Sequence, residues 1–192
     1  MVNSGENMVP EMLILVNEQD QEIGEDEKLC VHQTGKLHRA FSIFIFRLKN
    51  NQQELLLQQR NKNKYHCGGL WTNTCCGHPR AGEDLMPAAM RRLREEMCFQ
   101  TMLVPIDSFH YFANCNNGLI EHELDHVLAG VYEKELTKVN AEEVQDFRWI
   151  GLAELEQELA AKSETFTPWF ATAFVVIKKW LINDNLKRLT VS

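Results

Sequence analysis

No stretch of this chain reaches the roughly 20 consecutive apolar residues that a membrane-spanning helix needs. The apolar run Ala171 to Ile177 is broken by Lys178 and Lys179, so no membrane partner is expected. No basic segment precedes an apolar core in the opening MVNSGENMVPEM, which argues against a signal or transit peptide and makes the cytoplasm the expected compartment. No CxxC pair occurs among the six cysteines (30, 67, 75, 76, 98, 115). That absence removes the zinc-knuckle and thioredoxin patterns, and in a reducing compartment the thiols stay free. Positive charge is also short, with 20 Lys and Arg against 27 Asp and Glu and a net charge of -7, so a nucleic-acid partner is not expected. Repeats and low-complexity tracts are missing too, and 192 residues suit one domain. Its expected extent is 11–185, with a flexible N-terminus 1–10 and a tail 186–192.

What is present reads as a mixture of strands and helices. Leu13 to Val16 is a short apolar run, AFSIFIFRL at 40–48 and ELLLQQ at 54–59 flank a polar turn, and the three read as a strand followed by a hairpin. Between 84 and 97 the period changes: Leu85, Ala89, Leu93 and Met97 recur every fourth residue, a helix with one core-facing stripe. Pro87 falls in its first turn, where a missing donor costs least. Arg92 and Glu96 share a neighbouring face. Strands are expected again at 109–113, 119–131 and 147–150, then helices at 152–161 and 168–182. Strands before and after one central helix, with no βαβ rhythm, give an α+β domain with a mixed β-sheet packed between helices.

Chemistry concentrates in a few places. Trp71-Thr72-Asn73-Thr74-Cys75-Cys76-Gly77-His78-Pro79 sets a thiol two residues from an imidazole. Glu121-His122-Glu123 lies in an expected strand, whose period of two puts both carboxylates on one face and His122 on the other. A three-residue loop at 116–118 would set Tyr111 opposite Glu123, within reach of a phenol–carboxylate hydrogen bond; a two-residue loop would shift the pairing by one. Arg60, Lys62 and Lys64 cluster in QQRNKNKYH, enough positive charge for one small anion, although a solvated loop is the commoner meaning of such a trio. His66, His110, His122 and His126 are assigned ordinary structural or surface roles, and Cys67 that of a structural thiol in a turn.

From Gly77 the chain runs five residues to Glu83, seven to Arg91, and on to Leu93, Glu95 and Glu96. This resembles the Nudix box, with Arg92 where the box has glutamate and Cys98 where it has glycine. A Nudix-like helix led by N-x-x-C-G-H-P, with His32 and His38 upstream, the Glu121/Glu123 pair and Thr167-Pro168-Trp169 downstream, is similar to the type I isopentenyl-diphosphate delta-isomerases. The two leading histidines stand one residue closer than in that family's pattern. The resemblance implies a Nudix-like fold, an isoprenoid diphosphate as substrate and a monomer or weak dimer. It implies Cys76 as catalytic thiolate, with Glu123, Tyr111 and Trp169 completing the catalytic set; Cys75 has no assigned role. It also implies that Lys28, Arg60, Lys64 and Arg92 grip the diphosphate. One transition metal, Zn²⁺ or Mn²⁺, is expected on His32, His38, His78, Glu121 and Glu123, and a substrate-bound Mg²⁺ on Glu96. Competing readings are a Nudix pyrophosphohydrolase acting on a nucleoside diphosphate derivative, supported by Glu95 and Glu96, and a binding module merely stapled by a metal.

Overall fold

Along the strand His38–Lys49 the side chains alternate between two apolar layers, and the architecture follows from that alternation. The computed structural model describes residues 10–64, 66–115 and 118–182. All but Pro10 of the expected N-terminal segment 1–10, the expected tail 186–192 with 183–185 before it, and Asn116 and Asn117 of the expected hairpin loop lie outside the described residues. In chain order the elements are β1 (Met12–Val16), β2 (Glu22–Glu27), α1 (Lys28–Thr34), β3 (His38–Lys49), β4 (Gln52–Arg60), β5 (Trp71–Thr72) and β6 (Cys75–Gly77). There follow α2 (Leu85–Met97), β7 (Leu103–Asn114), β8 (Ile120–Val131), β9 (Val144–Gly151), α3 (Leu152–Ala161), a 3₁₀ turn and α4 (Phe170–Ile182).

Phe44 and Phe46 point into one layer with Leu55, Leu57, Val127, Leu155, Phe170 and Phe174. Phe41, Ile43 and Ile45 point the other way, onto Leu56, Leu128 and the α2 stripe Ala89, Leu93 and Met97. The sheet is therefore covered by α2 on one face and by α3 and α4 on the other, the sandwich that the apolar patterns predict. β3 is its centre: antiparallel to β4 through Ile45–Lys49, antiparallel to β6 through Phe41–Ile43, and parallel to β8 from His38 to Phe46. A parallel pair needs a crossover, and α2 lies within it. Among the described residues no helix is long and apolar enough to cross a membrane.

Several boundaries differ from the expected ones, each for a local reason. β7 begins at Leu103 rather than Phe109, because Pro105 sits at a register irregularity, where a strand tolerates a missing donor. α4 begins at Phe170, so Trp169 precedes the helix. The seven-residue α1 has no counterpart in the sequence reading; it is too short to show a helical period and ends on Gly35 in the left-handed region, φ 65. α2 ends on Cys98 at φ 58, with its N–H bonded to the Arg94 carbonyl. A left-handed cap is what the glycine of the box would supply, so here an L side chain occupies a position suited to glycine.

Candidate active site

The face of the sheet that carries Phe44, Phe46, Val127 and Ala129 turns polar toward one end. On β3 the same parity gives His38 and Ser42; on β8 it gives Glu121, Glu123 and Asp125. The parallel register pairs His38 with Glu123, Ala40 with Asp125 and Ser42 with Val127, so the two strands turn polar toward the same end, within one such pair of each other. β6 adds Cys76 beside Ser42, while Cys75 pairs with Ile43 and faces the α2 layer. Adjacent residues of a strand face opposite ways, and this separates the two thiols as expected. α2 approaches β6 at Gly77, where a Cβ would stand 3.0 Å from the Phe41 ring and 3.2 Å from Arg92 Cγ.

Four donors converge at this polar end. His32 comes from the last turn of α1, His38 from the first residue of β3, His78 from just after β6 and Glu123 from β8; their ligand atoms lie within 4.8 Å of one another. His32 Nδ1 donates to the Lys28 carbonyl at 2.7 Å and His38 Nδ1 to the Lys36 carbonyl at 2.9 Å. Each ring thus spends its N–H on backbone and can turn the lone pair of Nε2 inward, the arrangement a metal-ligating histidine requires. His32 Nε2 faces Glu121 Oε2 at 3.4 Å and His38 Nε2 faces Glu123 Oε1 at 3.6 Å. Nitrogen lone pairs facing carboxylate oxygens call for a positive charge between them. His78 Nε2 lies 2.9 Å from Glu123 Oε1, and burial, then His38 and Lys28, hold His78 well below the usual histidine range. Three imidazoles with a carboxylate, all buried or nearly so, suit a divalent transition metal. His32 belongs to the set despite its closer spacing to His38. Burial raises Glu121, yet His32 and His66 outweigh it and keep this carboxyl well below the carboxylate norm. Glu123 moves the other way, raised by burial and by Glu121.

Cys76 lies 34 residues from Ser42 and four from Thr72, with Sγ 3.8 and 3.9 Å from their hydroxyls, and it donates to Asn73 Oδ1 at 3.0 Å. Burial, then the charge of Asp125, pushes this thiol up to about 12. Ser42 Oγ donates to Asp125 Oδ2 at 2.7 Å. Tyr111 does pair with Glu123, as a loop of three residues predicts. Its phenol, however, makes no hydrogen bond among the described residues. A tyrosine outreaches a glutamate across a strand pair, and the ring instead meets Trp169 edge-on at 6.2 Å. The Arg60 guanidinium lies 5.5 Å from the centre of the Trp169 ring.

Of these residues Ser42, Arg60, Cys76, His78, Glu121, Glu123 and Trp169 line one cleft of about 260 Å³, together with Lys28, Lys64, Arg92 and Glu96; His32, His38, Tyr111 and Asp125 are not part of its lining. The cations are engaged with carboxylates: Lys28 with Glu11 at 2.9 Å, Lys64 with Glu143, and Arg92 with Glu95 at 2.8 Å, Glu143 at 3.3 Å and Glu96. Glu96 also accepts from Gln58 Nε2 at 2.9 Å. Lys62 is not among the lining residues. Sequence reasoning missed His66, Asp125, Ser42, Asn73, Glu11 and Glu143. Asp125 continues the period of two begun by Glu121 and Glu123 and was open to detection; His66 carried no signal of its own, and the structure places its Nε2 2.7 Å from Glu121 Oε1 in the cleft wall. Cys67 sits in a turn at φ 51, hydrogen-bonded to Cys115.

The NUDIX domain family model matches residues 36–170. An isopentenyl-diphosphate Delta-isomerase 2 of Photorhabdus laumondii is 49% identical over 160 residues, 83% of this chain and 88% of that protein. The isopentenyl-diphosphate Delta-isomerase of Photobacterium profundum is 47% identical over 179 residues, covering 92% and 97%. Among solved structures, a Deinococcus radiodurans protein superposes with a TM-score of 0.65 at 20% identity, covering 88% of this chain and 98% of its own. The NUDIX domain of Shewanella oneidensis NrtR, solved with ADP ribose, gives 0.59 at 16%, covering 76% and 87%. At such identities these two structures speak for the fold.

Proposed function

Because the chain belongs to the type I isopentenyl-diphosphate Delta-isomerases of the Nudix superfamily and interconverts isopentenyl and dimethylallyl diphosphate, we propose how the residues of its cleft share that reaction. The observation that carries the reading is that Cys76, Glu123, Trp169 and four cations line a single cleft, while the helix position at which a Nudix hydrolase keeps a metal-gathering carboxylate holds Arg92. The relatives that match over most of the chain are named as isomerases, which leaves the pyrophosphohydrolase reading without support.

An alkene is a very weak base, so the reaction needs a positioned acid, a base and surroundings that tolerate a cation. Glu123 delivers a proton to the terminal methylene carbon; the π electrons form that C–H bond and leave a tertiary cation. Cys76 removes a proton from carbon 2, and that C–H pair becomes the new double bond. Run backwards, the roles exchange. Isomerisation consumes no proton, so the one that reaches Sγ must return to the carboxyl side before the next turnover. In the forward direction Cys76 enters as thiolate and leaves as thiol while Glu123 enters as the acid and leaves as carboxylate; the reverse direction starts from the opposite placement. Trp169 offers its ring face to the cation and, with Tyr111, keeps water away. Lys28, Arg60, Lys64 and Arg92 hold the diphosphate, exchanging the carboxylates of Glu11 and Glu143 for phosphate oxygens. Glu96 is the carboxylate assigned to the Mg²⁺ that accompanies the substrate. A zinc or manganese ion on His32, His38, His78, Glu121 and Glu123 would supply, when bound, a fixed positive charge that makes the Glu123 carboxyl a readier proton donor. All six cysteines are free, which supports a reducing, cytoplasmic setting.

An NMR time course with isopentenyl diphosphate and Mg²⁺ tests the reading. Dimethylallyl diphosphate accumulates without phosphate, and in D₂O a deuteron enters the methyl group formed from the terminal methylene. Phosphate release without isomerisation would sink it.

A further inference from the structure

His66 is 8% exposed and lies in the loop between β4 and β5 that also carries Lys64, and the mechanism above gives it no task. Its Nε2 stands 2.7 Å from Glu121 Oε1, while the other oxygen of that carboxylate stands 3.4 Å from His32 Nε2. One carboxylate therefore lies between His66 and the imidazole cluster. A carboxylate oxygen can only accept, so at 2.7 Å the His66 nitrogen is the donor.

The loop is shaped to present this ring. Cys67, the next residue, takes the left-handed φ of 51. A Cβ on Gly68 would fall 2.7 Å from the Lys62 carbonyl oxygen, so that position has no room for a side chain. Gly69 is held from both sides, its N–H on the Arg60 carbonyl at 3.0 Å and its carbonyl on Gln59 Nε2 at 2.9 Å. With the turn locked in this way, the ring faces β8 across 55 residues of sequence.

We propose that His66 is a positioning residue of the metal site: it donates from Nε2 to Glu121 and so directs the second oxygen of that carboxylate onto the ion held by the imidazole cluster. The proposal rests on reading that cluster as a metal site. It carries a consequence for the substrate as well. Lys64, one of the diphosphate cations, belongs to the same loop, so loss of the His66 bond should loosen ion and substrate together. A side chain that only filled space would be replaceable by shape; a donor is replaceable only by another donor that reaches the same point.

Glutamine and asparagine separate these cases, since a glutamine amide extends about as far as Nε2 and an asparagine amide falls short of Glu121. Zn²⁺ affinity is measured by chelator competition on wild type, His66→Gln, His66→Asn and His38→Ala, with circular dichroism of the metal-free proteins as the check on folding and isomerase kinetics alongside. His66→Asn should bind Zn²⁺ roughly 10- to 100-fold more weakly, the range typical of losing such a supporting partner, with a raised KM for isopentenyl diphosphate. His66→Gln should recover most of both. Wild-type affinity in His66→Asn overturns the proposal, and so does a His66→Gln as weak as His66→Asn, which would make the ring itself a ligand. Wild-type affinity in His38→Ala overturns it by removing the metal site underneath, a result distinct from either of the others.

Discussion

Cys75 and Cys76 are the same chemical group one residue apart, and their surroundings set their roles. Cys75 is fully buried against Phe41, Ile43 and the α2 stripe; Cys76 borders the cleft with Asn73, Ser42 and Thr72 as polar neighbours. Cys76→Ala should therefore lower isomerase kcat by about 10²- to 10⁴-fold, the span for losing a positioned proton carrier, with bound metal and unfolding temperature unchanged. Cys75→Ala should keep most activity. Steady-state kinetics on the two variants decides the matter, and an active Cys76→Ala would remove the thiol from the mechanism. Arg92 offers a second test, because Glu95, Glu96 and Glu143 all reach it. Arg92→Glu puts a fourth carboxylate where the diphosphate should lie and deletes a charge-assisted contact of roughly 1.5 to 3 kcal/mol. KM for isopentenyl diphosphate should rise more than tenfold, and assays with nucleoside diphosphate derivatives should still release no phosphate; accelerated hydrolysis would mean that the helix is a working hydrolase element. Residues of this kind were legible where a short motif holds them together, as TNTCCGHP and EHE do. His66 was not, since a lone histidine among seven reveals its role only when a loop and a strand meet.

At the level of elements, periodicity carried what was local. The α2 stripe and the β3–β4 hairpin follow from spacing alone; the pairing of Tyr111 with Glu123 follows from the longer of the two loop lengths that spacing left open, because numbers along an antiparallel pair sum to a constant, here 234 from Ser108–His126 to Asn114–Ile120. The nine-residue parallel pairing of β3 with β8 was not legible, since strand partners far apart in sequence leave no periodic trace. α1 was missed for its shortness, although it delivers His32 to the cluster. The end of α2 is the element most open to improvement. Cys98 is exposed and holds φ 58 at the cap, a conformation that costs an L-residue roughly 1 to 2 kcal/mol. Glycine adopts it freely but loses more entropy on folding. Cys98→Gly should leave a net stabilisation of about 0.5 to 1 kcal/mol, visible as an unfolding midpoint raised by roughly 1 to 4 °C for a chain of this size. A lowered midpoint would show that the cysteine side chain contributes something the backbone argument omits.

In the molecule as a whole, two apolar layers hold the sheet from either side, but the polar end of β3 and β8 is held differently. There the neighbours are the imidazoles of α1, β3 and the residue after β6 and the carboxylates of β8, spread between His32 and Glu123. Apolar packing cannot stabilise such a cluster, and carboxylates such as Glu121 and Glu123 repel one another in a medium that screens poorly. A bound cation would offset that repulsion and would join α1 to the central strands. An ion that binds the folded chain and not the unfolded one stabilises by mass action, about 2.7 kcal/mol when free ion stands at 100 times its Kd. For a chain of this length that corresponds to roughly 5 to 11 °C in the unfolding midpoint. Chelator-treated protein should therefore melt several degrees below the same sample reconstituted with Zn²⁺ or Mn²⁺, and the gap should widen as free ion is raised. It should also close in Glu123→Gln or His38→Ala, which lack a ligand. Differential scanning calorimetry at several ion concentrations makes the comparison; a midpoint indifferent to chelator and ion would mean that the imidazole cluster holds itself together by protonation, and that the catalytic end of the sheet is stable without a metal.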